Sequence, residues 1–242
     1  MRKFFRILFY VALVGGAFVF FTNRFEQKNA VPGEDERSMA DFHGIDVHGA
    51  FDISFTPGKK YNLHITSSNI EAIEDIKSEV KNGILHLSQE GKIFGFRHAK
   101  INVEVSGPTL DWLNMSGASN FTTLSPIETE KLLLNLSGAG NVHIEGDIDV
   151  LTGRVSGAGN IAFKGEGETA FFDLSGIGNI DAAHFEADQV RVSVSGAGNA
   201  SVKVNEKLDA SVSGAGNVYY TGNVPDRNVS KSASGMGSVR RK

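Results

Sequence analysis

The sequence predicts an all-β fold: a parallel β-helix or β-solenoid with coils of about 20 residues, preceded by an irregular, hairpin-containing cap. Three observations support this prediction: a repeated pentapeptide, alternating apolar residues on both sides of it, and an excess of glycine. Gly accounts for 28 of the 242 residues, whereas Pro accounts for only 5. Ordinary Gly usage is about 7%, so the chain is expected to turn repeatedly at fixed places.

The repeat is the pentapeptide Ser-Gly-x-Gly-Asn. Looser copies lie at residues 116–120 and 234–238, and 48–52 has the form of a degenerate earlier copy. Successive copies from 116 onward start 21, 19, 19, 20, 18 and 21 residues apart. The five full copies contain Ser137, Gly138, Gly140, Asn141, Ser156, Gly157, Gly159, Asn160, Ser175, Gly176, Gly178, Asn179, Ser195, Gly196, Gly198, Asn199, Ser213, Gly214, Gly216 and Asn217.

Apolar residues alternate on both sides of each pentapeptide. Leu134 and Leu136 precede the copy that starts at Ser137, and Val142 and Ile144 follow it. A period of two is typical of a strand with one buried face. A unit of about 20 residues cannot bury such a face alone, but it can when it is stacked on its neighbours. The repeats in residues 106–238 are therefore predicted to form the solenoid.

The same alternation places both glycines of a repeat on the buried side and Ser, x and Asn on the exposed side. Two interpretations of the glycines are open: a positive φ at a corner, or room where opposite walls approach closely. Asn residues at equivalent places in successive coils are expected to hydrogen-bond as a ladder. We therefore predict a structural role for the twenty repeat residues; the alternative is a functional role for the exposed stripe.

Residues 41–105 contain no full copy of the repeat and are predicted to cap the solenoid, because an open coil would present unpaired strand edges. A turn at Pro57 and Gly58 predicts a hairpin between 51–55 and 61–65. Asn82-Gly83 is typical of a second, tight hairpin. Between them, Asn69 is predicted to cap a short helix within 69–77. The basic residues that end the sequence are expected to blunt the other end.

Residues 1–22 are predicted to be a signal-anchor or signal peptide that enters the membrane through residues 4–22. Arg2, Lys3 and Arg6 precede an uncharged apolar run from 7 to 21. Its length lies between a signal-peptide core and a spanning helix of about 20 residues. The basic start predicts an inner-membrane anchor with the β domain in the periplasm, or export if the signal is cleaved. Residues 23–40 are polar and are predicted to be a tether.

The repeats, together with residues 42–47 and 82–87, resemble the bacterial head GIN domain family, whose members are also called "putative auto-transporter adhesin" proteins and were once a domain of unknown function. The resemblance covers residues 41–238. It implies a right-handed β-helix related in shape to pectin-lyase-like proteins and an envelope location in Bacteroidetes-like bacteria. It attaches no catalytic residues to the domain.

Several classes of chemistry are not predicted. The net charge is −4, and nucleic-acid binding needs a basic stripe instead. The chain has no Cys, which excludes disulfides and thiolate sites. The seven His residues lack metal-ligand spacing, and no repeated or clustered acids are apparent that would build a lyase or hydrolase site. The prediction is no enzyme, no cofactor and no metal.

The predicted function is therefore a non-catalytic, membrane-tethered, exported β-solenoid that serves as an envelope adhesion, binding or structural module. Its expected partner is a glycan or an envelope protein. Trp112, Phe171 and Tyr219 are candidate exposed aromatic contacts, although packing in the core is the alternative for each. The other functional hypotheses are a partner-dependent sensing or regulatory module and a carbohydrate-active β-helix enzyme.

Overall fold

The computed structural model describes residues 31–90 and 100–242. Among these residues, the part before the repeats contains seven strands and one short helix, placed between β4 and β5. Their bounds are β1 Gly33–Ser38, β2 Gly44–His48, β3 Asp52–Pro57, β4 Asn62–Ser67, α1 Ile70–Glu74, β5 Ile76–Lys81, β6 Ile84–Gln89 and β7 Ile101–Gly107.

The repeat region contains ten further strands and one turn of 3₁₀ helix at Asp226–Asn228. The strands are β8 Trp112–Met115, β9 Asn120–Thr123, β10 Ile127–Leu136, β11 Ala139–Val155, β12 Ala158–Leu174, β13 Ile177–Val194, β14 Ala197–Val212, β15 Asn217–Thr221, β16 Val229–Ala233 and β17 Ser238–Arg241. Each of the long strands β11 to β14 runs from one pentapeptide almost to the next, so it makes up most of one coil.

The strands stack in parallel into a β-solenoid of about six turns with coils about 20 residues apart. The predicted fold class is thereby confirmed. The segments before each pentapeptide pair with one another and form the pre-motif wall, for example Leu134 with Gly153 and Phe172 with Val192. The segments after each pentapeptide form the post-motif wall, for example Ile144 with Phe163.

The inward residues of both walls form one continuous core. Leu134, Ile144 and Leu174 are all completely buried, and Phe163 is 2% exposed. Burying a side chain of this kind contributes about 1.5–3 kcal/mol to folding. The alternation therefore holds the coils together by hydrophobic burial, while the parallel ladders satisfy the backbone polar groups.

Antiparallel strands close the N-terminal end of the stack. β4 pairs antiparallel with β7, β1 pairs antiparallel with β4, and β5 pairs antiparallel with β6. The predicted tight hairpin is present between β5 and β6, with Asn82 and Gly83 both at positive φ. The predicted helix is also present, and the Asn69 side chain accepts a hydrogen bond from the backbone N–H of Glu71 at 3.1 Å.

Two predictions for this part of the chain are wrong. β3 and β4 do not form a hairpin, because β7 lies between them and pairs with β3 in parallel and with β4 antiparallel. A local turn signal cannot foresee a strand that arrives more than 40 residues later. The tether predicted for 23–40 is likewise wrong for residues 33–38, which form β1 and extend the cap.

Basic side chains cover both ends of the core. Arg37 on β1 donates to the Ile76 carbonyl at 3.1 Å and to Ser78 Oγ at 2.7 Å, and so joins the two walls. At the other end Lys231 and Arg241 lie over the ring of Tyr220, at 4.7 Å and 5.7 Å from its centroid. These contacts shield apolar residues that have no further coil above them.

The predicted membrane segment, residues 1–22, lies outside the described residues, as does the tether up to residue 30. Within 31–90 and 100–242, no helix has the length and apolar character needed to cross a membrane.

Candidate functional site

The pentapeptides stack at one corner of the solenoid, where successive backbones lie close together. A Cβ added to Gly157 would lie 2.0 Å from the carbonyl oxygen of Gly138 in the preceding coil, and one added to Gly198 would lie 1.7 Å from that of Gly178. Close approach therefore explains the glycines, as the second interpretation held. The group approached is the adjacent coil, however, and not the opposite wall.

The asparagines of the repeat form a hydrogen-bonded ladder along this corner. Asn160 donates from Nδ2 to Oδ1 of Asn141 at 3.0 Å, and Asn179 donates to Asn160 at 2.9 Å. The ladder, which we call the Asn ladder, starts at Asp52, to which Asn120 donates at 2.8 Å. Ser238 closes it by donating to Asn217 at 2.7 Å. Each coil is thus tied to the next by its side chains as well as by its backbone.

The Ser and x positions of the corner face solvent. Most x positions are Ala, but Ile177 is 69% exposed and Met236 is 88% exposed. The hydroxyls of Ser116, Ser137 and Ser175 donate to the carbonyl that precedes the motif in the previous coil, as in the 3.4 Å contact of Ser137 Oγ with the Met115 oxygen. The polar groups of the repeat are therefore largely occupied within the stack, which favours the structural interpretation of this corner.

Carboxylates stack at the far end of the post-motif wall. Register pairs Glu128 with Asp147, Asp147 with Glu166 and Glu166 with Glu186. A second acid stands two residues after each of these, so the set, which we call the acidic ridge, comprises Glu128, Glu130, Asp147, Asp149, Glu166, Glu168, Glu186 and Asp188.

The prediction that no acids repeat or cluster is therefore wrong. The signal was present as an acid-x-acid triplet recurring six to eight residues after the repeat asparagines at 120, 141, 160 and 179. The last of these spacings is one residue longer than the two before it because β12 and β13 change register between Ala162 and Lys164. The variable spacing hides the period in the sequence.

The acidic ridge is mostly exposed and carries its counter-charge at one end. Hydrogen bonds from Lys203 and Asn205, and the charge of Lys203, hold the pKa of Glu186 below its ordinary value. Among residues 31–90 and 100–242, no three acidic or His side chains are grouped so that they could hold a metal ion. The ridge gives this edge of the solenoid a strongly negative field.

An aromatic and apolar column runs across the outward face of the pre-motif wall. Register places its members next to one another on successive strands. This set, which we call the Trp112 column, comprises Ile84, Gly44, Trp112, Leu133, Thr152 and Phe171. Phe171 is 38% exposed, and Trp112 and Leu133 are half-buried.

Gly44 shapes the N-terminal end of this column. A Cβ at Gly44 would lie 2.6 Å from Cδ1 of Ile84 and 3.1 Å from Cβ of Trp112. Because Gly44 has no side chain, those two neighbours close over its backbone. From Trp112 to Phe171 the column spans three strand spacings, about 14 Å, and forms a track that is apolar apart from Thr152.

A column of planar polar side chains flanks the Trp112 column. Register pairs Asn114 with Asn135, Asn135 with Arg154 and Arg154 with Asp173. Aromatic residues and Arg are enriched in recognition surfaces, and amide, guanidinium and carboxylate groups supply directional hydrogen bonds. The two columns together have the composition of a binding face.

The three candidate aromatics do not all come together. Trp112 and Phe171 share the Trp112 column, whereas Tyr219 lies on the outward side of the post-motif wall, where Lys242 Nζ is 4.4 Å from its ring centroid. The sequence made all three candidates for exposed contacts, with packing in the core as the alternative, and did not assign them to walls.

Known proteins with the same architecture were found by sequence and by structure. A family model described as "Putative auto-transporter adhesin, head GIN domain" matches residues 41–224. No curated protein sequence matches the chain.

Three crystal structures of bacterial proteins share the fold. A "putative adhesin" from Bacteroides fragilis has a TM-score of 0.82 and 24% identity, covering 87% of this chain and 97% of its own. A "putative adhesin" from Parabacteroides merdae has a TM-score of 0.70 and 21% identity, covering 88% and 97%. A "Putative lipid binding protein" from Parabacteroides distasonis has a TM-score of 0.70 and 23% identity, covering 88% and 98%.

Proposed function

This chain belongs to the family described as "Putative auto-transporter adhesin, head GIN domain", and we propose that it is an exported envelope adhesion module that binds a glycan or an envelope protein through the Trp112 column. In this proposal residues 4–22 hold it at the inner membrane, and the solenoid stands in the periplasm. The repeat residues serve as scaffold.

The observation that carries the proposal is the apolar track itself. Trp112, Leu133 and Phe171 bring aromatic and aliphatic side chains to one outward sheet face, with only Thr152 between Leu133 and Phe171, and apolar surface patches mark interaction sites. Gly44 keeps the track low between Ile84 and Trp112, and Thr152 does so between Leu133 and Phe171. A flat partner could therefore lie along it while Asn135 and Arg154 bond to its polar groups.

The proposal assigns no catalytic step to this binding. The carboxylates of the acidic ridge lie on the post-motif wall, away from the Trp112 column, and most of them are exposed to water. A glycosidase needs a paired acid and base on either side of a bound sugar. We therefore assign recognition to the Trp112 column and a long-range electrostatic role to the ridge.

A binding screen with the full chain tests the proposal. Three ligand classes are presented: immobilised glycans, solubilised envelope proteins and lipid vesicles of envelope composition. The vesicles are included because the Parabacteroides distasonis protein of the same fold is named as lipid binding. Saturable binding to one class is expected, and folded protein that binds none of the three would refute the adhesive role.

Substitutions then locate the contact. Phe171→Ser removes an exposed member of the Trp112 column and should weaken binding about tenfold or more, since truncation of a residue central to binding costs about 2 kcal/mol or more and about 1.4 kcal/mol is tenfold. Tyr219→Ser is the matched control, because it removes an outward aromatic from the other wall. Equal losses in both variants would contradict the assignment of the face.

A further inference from the structure

The degenerate first copy of the repeat places a histidine where later copies have serine. His48 pairs in register next to Ser116, because β2 and β8 align Val47 with Met115. The Nδ1 atom of His48 hydrogen-bonds Ser116 Oγ. On the other side of the ring, Nε2 of His48 lies 3.1 Å from Oδ2 of Asp46. Serine, imidazole and carboxylate are thus connected in a line.

Asp46 is fixed more tightly than a surface carboxylate. It is 9% exposed, and its Oδ1 accepts from Asn114 Nδ2 at 2.8 Å. His86 Nδ1 lies 3.0 Å from Oδ2. Burial alone would raise the pKa of Asp46, but the hydrogen bonds from Asn114 and His86 and the nearby His48 outweigh it, and its pKa lies below the ordinary value. The group therefore stays a carboxylate.

An ionised Asp46 decides which nitrogen of His48 carries the proton. A carboxylate only accepts hydrogen bonds, so the nitrogen facing it, Nε2, must be the protonated one. In neutral His48, Nδ1 then has a free lone pair and accepts from the Ser116 hydroxyl. Ser116 Oγ also lies 3.2 Å from the Val47 carbonyl, which becomes the acceptor when His48 carries two protons.

We propose that Ser116 is a base-activated nucleophile that accepts an acyl group from an activated ester. This arrangement has the nucleophile, base and orienting carboxylate that covalent acyl transfer requires. Ser116 Oγ bonds to the carbonyl carbon as its proton passes to Nδ1 of His48. The ester C–O bond then breaks, and the departing alkoxide takes that proton. The products are an acylated Ser116 and a free alcohol.

The group is accessible to such a reagent. The His48 side chain is 54% exposed, and Ser116 is only half-buried. The acylated serine is the end of this reaction, so the inference requires no turnover. It does not rest on adhesion by the Trp112 column, because Ser116 belongs to the pentapeptide corner, although Asn114 of the flanking polar column also holds Asp46.

The next coil supplies an internal control. Ser137 occupies the same place in its pentapeptide, and its hydroxyl contacts the Met115 carbonyl at 3.4 Å. Among the residues that the structure describes, no histidine hydrogen-bonds to Ser137. Ser116 and Ser137 therefore occupy the same place in their pentapeptides, but only Ser116 contacts His48. A difference in their reactivity then reports activation of Ser116 by His48.

The test treats the full chain with a fluorophosphonate probe, in which the serine oxygen displaces fluoride from phosphorus. Mass spectrometry then locates and quantifies the adduct. Labelling of Ser116 at least about 100-fold faster than that of Ser137 is expected, as general-base assistance contributes at least that much. His48→Gln should abolish the difference while thermal unfolding shows an intact fold.

Asp46→Asn tests the positioning role, since Asn can accept as well as donate and no longer fixes the proton on Nε2. In the parent chain, the ¹⁵N chemical shifts of His48 should show mainly the tautomer protonated on Nε2. In Asp46→Asn this preference should disappear, and most of the labelling of Ser116 should be lost as well. Equal labelling of Ser116 and Ser137 would overturn the proposal. Labelling of Ser116 that survives His48→Gln would overturn it as well.

Discussion

Asn160 donates its side-chain amide to Asn141 at 3.0 Å and accepts the equivalent bond from Asn179 at 2.9 Å. One residue therefore joins three consecutive coils. Because each amide has both a donor and an acceptor, the bond can be repeated from coil to coil without changing the residue type. This explains why the repeat keeps Asn while the apolar residues around it vary.

Removing one member of the Asn ladder should weaken the stack modestly. Asn160→Ala breaks both bonds, and a side-chain hydrogen bond is worth about 0.5–1.5 kcal/mol net. We expect a loss of about 1–2 kcal/mol in the free energy of unfolding, measured by chemical denaturation. Ser156→Ala in the same pentapeptide is the control and should change it by less than about 0.5 kcal/mol.

The glycines of the corner should tolerate no side chain. In Gly157→Ala the new Cβ would lie 2.0 Å from the Gly138 oxygen, and since that atom is backbone, two coils would have to separate. We expect a loss of about 2 kcal/mol or more, seen as a lower unfolding midpoint or as insoluble protein. Ala158→Ser, at the exposed neighbouring position, should leave the midpoint unchanged.

The acidic ridge should be a source of instability. Asp147 stands between Glu128 and Glu166, and like charges opposite one another are destabilising by roughly 0.2–1 kcal/mol per pair. Asp147→Asn is therefore expected to raise the thermal midpoint at low salt, and added salt should shrink the gain. Asp209→Asn, which removes the partner of Arg191 at 3.6 Å, should not raise it.

Asp46 should contribute a stability that depends on pH. Its folded pKa lies below the ordinary value of 3.8, so the folded state favours the carboxylate over the acid. The contribution is complete above the unfolded value and is lost as the pH falls from about 4 through the folded pKa. The free energy of unfolding should therefore fall less steeply between about pH 4 and pH 2 in Asp46→Asn than in the parent chain.

The sequence alone could predict the solenoid because the patterns that specify its strands and coils are local and recur along the chain. The alternation around Leu134 and Ile144 gives the strands, and the period of the pentapeptide gives the coils. The cap was harder, since β7 enters between β3 and β4 from a distance, and only the packed structure shows that pairing. β1 was missed because its polar, alternating residues resemble a tether until Arg37 is seen covering the core.

The binding face was foreseeable only in part. Trp112 and Phe171 have outward parity in the sequence, but their alignment in one column requires the register of four strands. The acidic ridge, in contrast, could have been found without the strand register. Its acid-x-acid triplets recur in the sequence, but their variable spacing concealed them. The line from Asp46 through His48 to Ser116 joins two coils that are 68 residues apart along the chain, and no local motif indicates it.

The most direct test of the central claim is an equilibrium titration of the partner found in the screen against the parent chain, Trp112→Ala, Phe171→Ser and Tyr219→Ser, each shown to be folded by its thermal midpoint. The proposal predicts that Kd rises about tenfold or more in the Trp112 and Phe171 variants and stays within about twofold in the Tyr219 variant. Unchanged affinity in both column variants would contradict binding through the Trp112 column.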